Sequence, residues 1–208
     1  MNKASNQLRI EINGENDQKY LNGWKEMIDK PLIHALKNCS QDVAELLIKS
    51  GLNVNVANKY GITPLMHAAG SGQKDIVELL IKLGADINVA NKYGRNPIMC
   101  ATSNSCKDIV ELLIELGANV DAVDQYGQTS LMHAAGSGHK DIVELLIEKG
   151  ANIDAVDQYG WTPLLCAAKR VNKDIVELLI EKGAKVEMAA KMAMCFSSAA
   201  RKNLEMRC

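Results

Sequence analysis

Apolar residues along this chain fall into two alternating groupings that return at a fixed interval. In the stretch KDIVELLI from Lys74, residues Ile76, Val77, Leu79, Leu80 and Ile81 form a broad stripe, the spacing of a helix that buries one side. Before it, Pro64-Leu65-Met66-His67-Ala68-Ala69 reads as a shorter helix capped by Thr63, with proline at a position whose N–H would be unpaired anyway. Gly70-Ser71-Gly72 separates the two helices. The second ends at Gly84, in a column shared with Gly51, Gly117, Gly150 and Gly183, where a left-handed residue closes a helix. From there β-branched and polar residues alternate up to a turn at Asn58-Lys59, Asn91-Lys92, Asp124-Gln125 or Asp157-Gln158, predicting an extended finger.

The interval is 33 residues, marked by Gly61, Gly94, Gly127 and Gly160, and Pro31, Pro64, Pro97 and Pro163 all fall in one column. Asn96 takes the capping place of Thr63 and Thr162 in the third copy. So short a unit cannot close its own core, and its copies must stack on one another. Five copies are laid out at 28–60, 61–93, 94–126, 127–159 and 160–192, the first and last degenerate as caps should be. A polar segment at 1–27 precedes them, with Tyr20, Leu21 and Trp24 placed to cover the first copy. The tail at 193–208 is expected as a capping helix, with Met188, Met192 and Phe196 able to cover the other end.

Gly-x-Thr-Pro-Leu, the Ala-Ala pair, a second helix ending in Gly-Ala-Asp or Gly-Ala-Asn, and the finger together resemble the ankyrin repeat, from residue 28 to about 187. That resemblance implies an all-α solenoid of helix-turn-helix units with projecting, β-hairpin-like fingers. The chain departs from the family pattern in having Met66 and Met132 directly after the leucine, with His67 and His133 one place later.

Composition narrows the chemistry. The 208 residues are 47% hydrophobic and 24% charged, with a net charge of −1. Such a balance suits one elongated core and supplies no general positive field for nucleic acid. No stretch has the length of a signal peptide's apolar core or a membrane helix, so the expected location is cytoplasmic, with a nuclear or secreted-effector location left open. The six cysteines, Cys39, Cys100, Cys106, Cys166, Cys195 and Cys208, show no paired spacing and are read as reduced thiols. His34, His67, Cys100, His133 and Cys166 share one column. Packed repeats hold equivalent positions about 10 Å apart, too far for neighbours to share a zinc ion whose ligands each lie about 2.0–2.3 Å away. Gly70-Ser71-Gly72-Gln73-Lys74 lacks the spacing of a phosphate loop, and no nucleophile motif accompanies the serines. No catalytic residue, cofactor or metal is assigned.

What remains is a surface. Tyr60, Tyr93, Tyr126, Tyr159 and Trp161 sit in or just after the finger turns, and aromatic side chains dominate interface hot spots. By resemblance, fingers and first helices form a concave recognition face. That places Lys59, Ile62, Lys92, Arg95, Gln125, Gln128, Gln158 and Trp161 at the fingers, and Ser103, Asn104, Lys169 and Arg170 at first-helix ends. Lys59, Lys92 and Arg95 stand against Asp124 and Asp157 farther along, an expected gradient of charge that would orient a partner. The third copy, with Thr102-Ser103-Asn104-Ser105 for Ala-Gly-Ser-Gly, is expected to be the weak joint. Asn88, beside Asp86-Ile87 and eight residues after Leu80, resembles ankyrin asparagines that become hydroxylated.

The resulting expectation is a monomeric, non-catalytic scaffold or adaptor for a protein partner, without nucleic acid or membrane insertion. Its alternatives are a regulatory array of a larger signalling or host-interaction protein, and a purely structural spacer.

Overall fold

The computed structural model describes residue 48 and residues 53–186. The expected terminal caps and most of the first copy lie outside these residues. Within them the chain runs through eight helices in pairs: α1 Pro64–Gly70, α2 Lys74–Lys82, α3 Pro97–Ser103, α4 Lys107–Glu115, α5 Ser130–Ser137, α6 Lys140–Glu148, α7 Pro163–Lys169 and α8 Lys173–Glu181. Each first helix starts as its sequence dictates. The side-chain oxygens of Thr63, Asn96, Thr129 and Thr162 accept from the amides of Met66, Met99, Met132 and Leu165 at 3.1–3.4 Å, which satisfies an amide the helix leaves unpaired.

The core is one apolar seam. From every second helix it takes an isoleucine and a leucine four residues on, such as Ile76 with Leu80 and Ile142 with Leu146, joined by Val77, Val110 and Val143, and from each first helix Leu65, Ile98, Leu131 or Leu164. Small residues set the spacing between repeats: Ala68, Ala101, Ala134 and Ala167 are fully buried and allow first helices to approach closely. Consecutive first helices accordingly pack far more intimately than consecutive second helices. The stack therefore curves, with α1, α3, α5 and α7 on its inner side.

The turn inside each helix pair is drawn identically four times. The amides of Gln73, Cys106, His139 and Asn172 donate to the carbonyls of Ala68, Ala101, Ala134 and Ala167 at 3.0–3.1 Å. This turn needs one left-handed residue. Gly72 and Gly138 supply it freely, but Ser105 and Val171 stand there with φ of 59° and 60°, a conformation that crowds any Cβ. The third copy is thus strained where the sequence suggests, and the fifth is strained too, at a β-branched residue. Thr102 adds a second cost to the third copy, because it is fully buried and its hydroxyl finds no partner.

The fingers are turns rather than strands. Among the described residues the only β-pairing is an isolated antiparallel bridge between Val123 and Thr129, so the hairpin-like character expected of them reduces to a closed loop. Each loop closes when the amide of Asn58, Asn91, Asp124 or Asp157 donates to the carbonyl four residues on, at 2.9–3.0 Å.

Candidate partner-binding surface

The finger tips owe their shape to one side chain each. Asn58 Oδ1 accepts from the amides of Tyr60 and Ile62, Asn91 Oδ1 from Tyr93 and Arg95, Asp124 Oδ1 from Tyr126 and Gln128, and Asp157 Oδ1 from Tyr159 and Trp161, all at 2.8–3.1 Å. A short side-chain oxygen that bonds amides two and four residues on is what makes asparagine and aspartate turn formers. Neighbouring fingers are also tied through their backbones, since Lys92, Gln125 and Gln158 donate to the carbonyls of Tyr60, Tyr93 and Tyr126 at 2.9–3.0 Å.

This corrects the expected charge gradient. Asp124 and Asp157 are 8% and 5% exposed, and their second oxygens are engaged as well: Asp124 Oδ2 lies 3.1 Å from His133 Nε2, and Asp157 Oδ2 accepts from Gln128 Nε2 at 3.1 Å. Neither carboxylate is presented to a partner. The gradient fails because the same residue type serves as a surface charge or as a turn former, and here the turn claims it.

His133 shows how the burial is balanced. Desolvation lowers its pKa below the ordinary histidine value and outweighs the hydrogen bond and charge of Asp124, while Arg95 nearby adds to the lowering. The ring is therefore neutral at pH 7 and donates from Nε2 to the carboxylate. Sequence reasoning assigned His133 no such role; the signal was an aspartate nine residues before a histidine. Cys100, Cys106 and Cys166 are free thiols. Burial pushes all three upward, Cys166 to about 11 with a further push from Asp157, so they pack as protonated thiols. Among the described residues no three His, Cys, Asp or Glu side chains gather as metal ligands.

The remaining predicted positions separate into groups. Trp161 and Lys169 come together, with the ammonium 4.5 Å from the ring centre, and Lys59 lies 5.0 Å from the ring of Tyr60. Cations over ring faces are held by the ring's negative quadrupole. Tyr126 and Tyr159 approach at 6.5 Å between ring centres, yet all four finger tyrosines remain 43–54% exposed. Arg95 folds back on its own repeat: its guanidinium donates to the hydroxyl of Ser103 and the carbonyl of Met99, while Ser103 Oγ donates to that same carbonyl. Asn104 Nδ2 donates to the Cys100 carbonyl at 3.0 Å. Lys92, Gln125, Gln158 and Arg170 are exposed, and Ile62 is half-buried.

Asn88 belongs elsewhere. With Asn55, Asp121 and Asp154 it forms a ladder at the far end of the fingers, each side chain accepting from a backbone amide of the next repeat at 2.9 Å. Asn88 also donates from Nδ2 to the Gly117 carbonyl at 3.3 Å, so an enzyme modifying it would first have to draw it out of this ladder.

Comparison with known proteins agrees with the architecture. The family described as ankyrin repeats, in a form of three copies, matches overlapping stretches at residues 10–91, 32–124, 84–157 and 116–190. No curated protein matches the chain.

Proposed function

We propose that this chain, which belongs to the ankyrin-repeat family, is a non-catalytic scaffold that holds a protein partner along its fingers and first helices, acting as a monomer. Ankyrin repeats generally mediate protein–protein interaction. The observation that carries the reading for this chain is the row of four finger tyrosines, each about half exposed on a turn locked by its own Asn or Asp and tied to a neighbouring finger. Aromatic area held in advance loses little entropy on contact, which is what makes tyrosine and tryptophan effective anchors. Trp161, half-buried under Lys169, extends that row at one end. No helix among the described residues is long and apolar enough to cross a membrane.

The test begins with affinity capture from the native organism, followed by titration of the purified partner. Alanine at Trp161 or Tyr159 should weaken binding by tenfold or more, on the order of 1.4 kcal/mol. Alanine at Glu144, on a second helix, should leave it unchanged. Equal affinity for all variants would place the contact elsewhere.

A further inference from the structure

Charge on this molecule is sorted by face. At the finger tips and along the first helices to their C-caps the described residues bear five cationic side chains, Lys59, Lys92, Arg95, Lys169 and Arg170, all exposed except Arg95, which is half-buried. The only carboxylates at those tips and helices, among the described residues, are Asp124 and Asp157, buried and bonded into their turns. Exposed carboxylates are kept to the second helices, for example Asp108 and Glu177, and to the far end of the fingers, at Asp86 and Asp121. A net charge of −1 conceals this division.

The cations also form two groups. Lys59, Lys92 and Arg95 occupy one end of the inner face, Lys169 and Arg170 the other. Each end has a lysine over an aromatic ring, Tyr60 at one and Trp161 at the other. Between them the face is uncharged at its surface, with Gln125, Gln128 and the neutral His133, and two buried carboxylates lie behind it. Three repeat steps of about 10 Å separate the ends, which an extended peptide of about nine residues spans at about 3.3 Å per residue.

Resting on the binding role proposed above, we infer that the partner contributes an extended acidic segment, with carboxylates near both ends and a neutral, partly apolar middle. Charge complementarity of this kind governs association rate and orientation. A polynucleotide, charged evenly along its length, would bring phosphates against the stretch backed by Asp124 and Asp157, and is disfavoured there.

The experiment is selection of random displayed dodecapeptides on the full chain at low salt. Titration of the best synthetic peptide then follows, with a thymidine dodecamer as second probe. Enriched peptides should carry Asp or Glu at two places about eight or nine positions apart. Reversal of either cationic group, in Lys59→Glu/Lys92→Glu or Lys169→Glu/Arg170→Glu, should weaken the peptide about tenfold. The milder Lys169→Gln/Arg170→Gln should weaken it less, and Lys74→Glu/Lys107→Glu on the second helices not at all, with circular dichroism confirming each fold. Peptides enriched without acidic residues, reversals that change affinity less than twofold, or tighter binding of the oligonucleotide would each overturn the inference. Enrichment of no peptide would count against the binding role itself.

Discussion

Replacing Val171 by glycine should stabilise the protein although it removes a side chain. Val171 is 84% exposed, so truncation gives up almost no buried apolar area. Its φ of 60° places a β-branched residue in the left-handed region, where an L side chain costs about 1–2 kcal/mol. Glycine carries no such penalty but loses more chain entropy on folding, about 0.5–1 kcal/mol. The balance favours the variant by about 1 kcal/mol, which the fifth repeat should show as slower amide exchange over residues 163–186. The mirror substitution sits in the same column. Gly138 has φ of 85°, and a Cβ there would meet nothing nearer than Asn172 Oδ1 at 3.4 Å, so Gly138→Val should destabilise by about the same amount for conformational reasons. Urea unfolding of both variants, with exchange to localise the change, checks the pair. A destabilised Val171→Gly, or a Gly138→Val as stable as the parent, would refute the account of this turn.

Four further substitutions follow from individual sites. Thr102→Val keeps the shape of a fully buried side chain while removing its unpartnered hydroxyl, and should raise stability by about 1 kcal/mol; a lower urea midpoint would show that the hydroxyl is satisfied. Gly94→Ala would set a Cβ 2.6 Å from the Gln125 amide nitrogen and 2.8 Å from the Asp124 carbonyl carbon, whereas a Cβ on Gly84 meets nothing within 4 Å. The first should cost about 2–4 kcal/mol and the second about 1 kcal/mol in thermal or urea unfolding, and equal losses would contradict the finger packing. His133 is held below the ordinary histidine pKa of 6.5, so the folded state takes up that proton less readily than the unfolded one. Its contribution is complete above pH 6.5 and is lost as pH falls below it. The stability of the parent relative to His133→Gln should therefore decline between pH 7.5 and about pH 5.5; a rising difference would mean that Asp124 outweighs burial.

Much of this architecture was legible because each signal is local. Thr63, Asn96 and Thr162 cap the first helices in the way their hydrogen-bonding reach requires, and Gly84, Gly117, Gly150 and Gly183 close the second helices in the left-handed conformation. The surface was read less well. Asp124 looks like a charge in sequence, and its removal from the surface depends on two amides of its own turn and a histidine from the following helix. Arg95 looks like a free cation, and its latch to Ser103 needs the fold of a whole first helix to bring the two together. Val171 differs from its counterparts only by a side chain, and nothing in its neighbours signals that the turn retains a left-handed backbone there. The aromatic row was visible from its period alone, since Tyr60, Tyr93, Tyr126 and Tyr159 repeat with the array.

Hydrogen exchange of the chain with and without its captured partner bears most directly on the claim that the inner face binds. Protection should appear at the finger tips around Tyr60, Tyr93, Tyr126 and Tyr159 and at the ends of the first helices near Ser103 and Lys169, while α2, α4, α6 and α8 exchange as before. Protection confined to those second helices, with unchanged fingers, would contradict it.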